Sequence, residues 1–216
     1  MEDVLAVYQR PYDPRYPVVC YDEKGKELHA PFPGRDPLPP QPNTPQAGQV
    51  RQDYEYQRAG SANLFLFCEP LRGWRRVAVT PQRTAQSFAR QLQRLVDEDY
   101  PQAEKIVLVG DNLNIHGKWS LYDEFDPAEA WRIIQKLEWH ATPEHGSWLN
   151  MAEIELSAMG RQCLDQRFAD ADALSQESTA WTQERNDRAV KILWQFTAAD
   201  ARIRLRRLYP IIDTKT

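Results

Sequence analysis

Residues 106–112 read Ile-Val-Leu-Val-Gly-Asp-Asn (IVLVGDN), a short apolar run that stops at a glycine and an acid. An uninterrupted run of this length suits a strand covered on both faces, as in a parallel sheet under helices, because a half-exposed strand would alternate polar and apolar residues. The covering helices are legible on either side. From Thr84 the residues Phe88, Leu92, Leu95 and Val96 recur at helical spacing, with Thr84 as N-cap and closure near Asp99 before Pro101. Residues 127–137 (PAEAWRIIQKL) place a proline at a helix start after Asp126 and gather Ala130, Ile133, Ile134 and Leu137 on one face.

Towards the N-terminus, residues 17–21 (PVVCY) form a second apolar run that ends at Asp22 and Glu23, before a Lys-Gly turn signal. Residues 62–69 (ANLFLFCE) and 76–80 (RVAVT) flank a turn around Gly73 and read as two antiparallel strands. Trp139–Thr142 reads as a last short strand, followed by an amphipathic run from Met151 to about Leu164. The order βββαβαβα predicts an α/β fold: a mixed central sheet, three antiparallel strands then parallel strands, flanked by helices. The domain plan is a lead-in over 1–16, a main domain over 17–170 and a helical extension over 171–216. The extension holds a helix to about Asn186, a short Trp194–Phe196 piece and a basic helix near Ala198–Leu208. Between the first two strands, residues 31–60 form a Pro-rich insertion. Seven prolines fall between Pro31 and Pro45, a segment unfit for a helix or central strand and a candidate for partner contact.

The 216 residues are 42% hydrophobic and 27% charged, which excludes wholesale disorder. The net charge of -4 means that a nucleic-acid partner must be held by local basic patches. Cys20, Cys68 and Cys163 lie far apart without C-x-x-C spacing, which excludes a zinc ribbon or dense disulfide framework and suits a reducing, cytoplasmic setting. No apolar stretch approaches 18 residues, so neither a signal peptide nor a membrane span is expected.

Asp22 and Asp111 both follow apolar runs, and adjacent parallel strands would bring them together where open sheets place ligands. Glu153, 42 positions after Asp111, opens the helix that follows the last strand. Three converging acids would raise one another's pKa, and a hard divalent cation keeps them ionised. That donor set points to phosphodiester chemistry. Each acid also has a plainer reading. Asp22 and Asp111 can be turn residues, and Asn150-Met151-Ala152-Glu153 has capping-box spacing.

Three stretches carry a resemblance: VVCYDEKGKEL at 18–28, DNLNIHGKWSLYDEF at 111–125 and TPEHGSWLNMAEIELSAMGRQCL at 142–164, supported by EPLRGWR, WQFTAADAR and LRRLYP. Together they resemble the DDE superfamily endonuclease domain of bacterial insertion-sequence transposases, in the insertion-sequence family called "six-thirty" of the mariner-like superfamily. The resemblance implies an RNase H-like fold, with Asp22, Asp111 and Glu153 as catalytic and metal-binding residues. It implies Mg²⁺ or Mn²⁺ as cofactor, two ions, used in DNA strand cleavage and strand transfer. It also implies DNA partners, both element ends and target DNA with a TA dinucleotide, and a homodimeric synaptic complex. Glu155 is a competing acid, but two residues along a helix project it roughly 200° away from Glu153. Gly25 and Ile115 stand where relatives often show proline and threonine, and Asp111 to Glu153 is longer than the compact spacing of the mariner branch.

Further candidates for cleft or DNA contacts are Asn112, Asn114, His116, His145 and Trp148, the last as a base-stacking ring. Arg72, Arg75 and Arg76 around the hairpin, and Arg202, Arg204, Arg206 and Arg207 near the C-terminus, are candidate phosphate contacts. No helix-turn-helix pattern precedes the first strand, so the chain is expected to be a catalytic half with an upstream helix-turn-helix frame or partner. The alternative is a catalytically inactive transposase fragment that modulates by binding DNA or protein.

Overall fold

The computed structural model of the chain describes residues 1–35, 38–39, 54–111 and 117–209. Five strands form one sheet in the order β3-β2-β1-β4-β5. They are β1 (Val18–Pro31), β2 (Tyr56–Glu69), β3 (Trp74–Thr80), β4 (Ile106–Gly110) and β5 (Leu137–Ala141). The first three pair antiparallel, while β1 with β4 and β4 with β5 pair parallel. This is the mixed RNase H-like sheet that the sequence leads one to expect.

The helices are α1 (Glu2–Tyr8), α2 (Ala85–Arg94), α3 (Pro127–Lys136), α4 (Met151–Gln162), α5 (Ala171–Asp187) and α6 (Ala198–Arg204). Alternation along the central strands separates two cores. Val19, Tyr21, Phe65, Phe67 and Leu108 pack under α2 and α3. Cys20, Leu64, Leu66, Val107 and Val109 pack under α1, α4, α5 and α6. Local signals start the helices as read: Thr84 accepts from Ser87 N–H, Asp126 from Ala128 and Glu129 N–H, and Asp170 from Ala173 N–H. None of the helices is long and apolar enough to cross a membrane, the described residues being those searched.

Three expectations change. The first strand does not end at Asp22, and Gly25 is no turn; β1 runs on because β2 pairs with it from Cys20 to Pro31, with Gly25 opposite Asn63. Hence Asp22 lies within a strand, at the level where its parallel neighbour β4 ends. Second, the N-terminal lead-in contains α1, whose Val4, Leu5, Val7 and Tyr8 are buried in the core. Third, residues 56–60 of the insertion belong to β2 rather than to a connection. Positions 36, 37 and 40–53 of that insertion lie outside the described residues. The C-terminal segment shares the main core, since Leu174, Trp181 and Ala201 cluster with Leu66 and Val109.

Candidate active site

Parallel pairing of Cys20 with Val109 carries the two strands forward so that Asp22 and Asp111 lie side by side. Carboxylate oxygens of Asp22, Glu23 and Asp111 lie within 4.8 Å of one another. Thr142 N–H donates to Gly110 O at 2.8 Å, continuing the β4–β5 pairing to the point where Asp111 leaves the sheet. A side chain at Gly110 is impossible without displacement, because a Cβ there would sit 2.1 Å from the Tyr21 ring.

Glu153 arrives from the first turn of α4. Its helix starts at Asn150, whose side-chain oxygen accepts from Ala152 N–H at 3.1 Å. The same side chain donates from Nδ2 to Tyr21 O at 2.9 Å and to Asp22 Oδ2 at 3.3 Å. One buried amide therefore ties the helix start to the strand that carries Asp22. The start is held from behind by Tyr8, whose hydroxyl donates to Leu149 O at 2.7 Å and accepts from Met151 N–H at 3.4 Å.

Electrostatics report the convergence. Burial pushes the Asp22 carboxyl up to about 7, and the charges of Glu153, Glu23 and Asp111 add to it. The Glu23 N–H that donates to Asp22 Oδ1 at 2.8 Å works the other way. A partly buried acid that also feels the charges of three further acids is a strong electrostatic host for a cation. The donors are all hard oxygens, so the residues present fit Mg²⁺ or Mn²⁺.

Glu155 goes elsewhere. It is fully buried and accepts from Arg185 Nη2 at 2.9 Å and Nε at 3.1 Å, with Arg75 Nη2 at 3.4 Å. Its place in the interior is the rotation expected for a residue two positions beyond Glu153. This removes Arg75 from the candidate phosphate contacts, because its side chain is 1% exposed and its Nη1 and backbone N–H bond Asn186. Arg76 is removed likewise: it is buried against Asp99 at 2.6 Å, with Gln91 beside it. Arginines that read as a basic run are needed inside to neutralise Glu155 and Asp99. Arg72 is exposed beside Glu69, and Arg202 is exposed but bonded to Glu2. Arg204, Arg206 and Arg207 are exposed.

His145 is exposed, stands in the left-handed region (φ 58°) and shares a cavity of about 360 Å³ with Asp111, Thr142 and Ser147. His140 lies between Asp3 (2.7 Å) and Glu138 (2.8 Å) on β5. Trp148 packs near Trp194 and Phe196, with ring centroids at 6.5 and 5.9 Å, so one side of it is committed to the C-terminal segment. Asn112, Asn114 and His116 lie outside the described residues. Sequence reasoning missed Glu23 as a neighbour of the cluster and Asn150 as more than a cap. The adjacency of Glu23 to Asp22 was the available signal for the first; nothing in the sequence shows the bond from Asn150 to Tyr21.

The DDE superfamily endonuclease family matches residues 17–175. Among solved structures, a chain of the Mos1 strand transfer complex is similar, at 18% identity and a TM-score of 0.51, covering 87% of this chain. That likeness is one of fold. This chain spans about half of that one, 54% of its length. No curated protein matches the sequence.

Proposed function

The chain belongs to the DDE superfamily endonuclease family, and from that premise we propose that it is the catalytic domain of a DNA transposase that cleaves and joins the strands of an insertion sequence. The carrying observation is the meeting of Asp22 and Asp111 at the ends of the β1–β4 pairing, their carboxylate oxygens within 4.8 Å of each other and of Glu23; the charge of Glu153 also reaches Asp22. Asp22, Asp111 and Glu153 would hold Mg²⁺ or Mn²⁺, two ions, with Glu23 beside them. When bound, such ions polarise a phosphodiester and lower the pKa of the attacking water or 3′-hydroxyl.

The chain's own residues supply the framework. Asn150 fixes Asp22 relative to α4, and Gly110 lets the Tyr21 ring pack under the turn into Asp111. Glu153 occupies the exposed first turn of α4. The substrates are element ends and target DNA, with TA as the target dinucleotide, and the working species is a homodimer in a synaptic complex. An upstream helix-turn-helix partner supplies repeat recognition. A carboxylate cleft reads backbone geometry, so this chain by itself binds duplex DNA with little sequence preference.

Incubation of the purified chain with supercoiled plasmid in Mg²⁺ or Mn²⁺ tests the reading. Metal-dependent nicking that Asp111→Asn abolishes supports it. DNA binding with no nicking in either metal supports instead a catalytically inactive modulator, working from the cytoplasm on DNA or on a full transposase.

A further inference from the structure

Asp111 borders a second cavity, of about 260 Å³, which His145 does not line. Its walls are Tyr21, Gly117, Lys118, Trp119, Trp139 and His140, with Asp111 and Ala141. The short 3₁₀ turn Lys118–Leu121 builds one wall. Leu121 is fully buried, and Ser120 bonds back to Gly117 O through both its hydroxyl (2.8 Å) and its N–H (3.1 Å). This anchored turn holds the Trp119 ring out, 70% exposed. A single exposed ring is ordinary on a protein surface, so what marks this one is the set of groups around it.

Two neighbours define what the ring suits. Lys118 Nζ stands 5.2 Å from the Trp119 ring centroid and has no acidic partner among the described residues. The Trp139 indole N–H, in the opposite wall, is buried and has no acceptor among the described residues. An exposed ring with a cation over one face and Tyr122 at 6.4 Å, a cation that meets no acid among the described residues, and a buried donor around one cavity match an unpaired nucleobase with its phosphate. A purely apolar protein segment would leave the cation and the donor unanswered.

We infer that Trp119 and Lys118 form a subsite for an unpaired nucleotide next to the scissile phosphate, with the base stacked on Trp119 and the phosphate neutralised by Lys118. This rests on the DNA-cleaving function proposed above. The role is one that the sequence suggests for Trp148, one side of whose ring lies against Trp194 and Phe196.

The test compares two duplexes of equal length, one fully paired and one with a single-nucleotide bulge, in Ca²⁺. Affinities are measured by fluorescence anisotropy for the unaltered chain, Trp119→Ala and Trp119→Phe. Stacking on an aromatic side chain predicts that Trp119→Ala weakens bulge binding by about 5- to 150-fold and paired-duplex binding by less than about 2-fold. Trp119→Phe should retain most of the bulge affinity, and an abasic bulge should abolish the difference between variants. Equal loss on both duplexes, or loss on neither, overturns the subsite while leaving the DNA-cleaving function standing. Failure of the unaltered chain to bind either duplex overturns both.

Discussion

The side-chain amide of Asn150 donates to Asp22 Oδ2 at 3.3 Å while its oxygen caps the helix that carries Glu153. Two acids 131 positions apart in the sequence are thereby set by a single side chain. Replacing Asn150 by Ser keeps a capping oxygen but removes the donor to Tyr21 and Asp22. The variant should fold, lose about 1 kcal/mol of stability for the missing hydrogen bonds, and cleave plasmid at least about tenfold more slowly. Circular dichroism melting and nicking rates check this, and an unchanged rate would show that the cap alone suffices.

The raised pKa of Asp22 gives a signed pH dependence. Between its ordinary value near 4 and its folded value of about 7, the native state holds a proton that the unfolded state has lost. Stability of the metal-free chain from this group is therefore present below pH 4 and lost as pH rises to 7. At pH 8, Asp22→Asn should stabilise the metal-free protein, by on the order of 2 kcal/mol once solvent access is discounted. Chemical denaturation of both proteins at pH 5 and pH 8 reads the difference, which should be much smaller at the lower pH.

Glu153 and Glu155 should separate cleanly. Glu153→Gln changes an exposed residue, so stability should hold within about 0.5 kcal/mol while nicking is lost. Glu155→Gln leaves the buried Arg75 and partly buried Arg185 without their counter-charge and should cost about 3–5 kcal/mol. Urea denaturation beside the nicking assay distinguishes them, and equal stability losses would contradict the burial of Glu155.

The sheet was legible because its decisive runs, 106–109 and 17–21, are unbroken by polar residues, and because Thr84 and Asp126 mark helix starts in plain view. The end of β1 was not. Residues 22–28 are mostly polar, and only pairing with β2 across the sheet keeps them extended. Helix α1 lacks a side-chain cap and is too short for a periodicity signal, so burial against the core is what makes it a helix. Among the candidate site residues, Asp111 stood out at a strand end and Asp22 at the end of an apolar run, although its strand continues past it. The arginines at 75 and 76 were misleading: as neighbours in β3 they point to opposite faces, and both faces are covered, one carrying Glu155 and the other Asp99.

The exposed arginines near the C-terminus are the remaining candidates for phosphate contact. Changing Arg204, Arg206 and Arg207 together to Ala should weaken binding to all duplexes alike and reduce the slope of log affinity against log salt by up to about 3. An unchanged slope would mark that face as merely solvated.

Crystals soaked in Mn²⁺ and measured near the manganese edge test the central claim most directly. The account predicts anomalous density about 2.1 Å from oxygens of both Asp22 and Asp111, the length of a bond to a small hard cation, and its loss in Asp22→Asn. Ordered Mn²⁺ elsewhere on the chain with none between these two acids would contradict it.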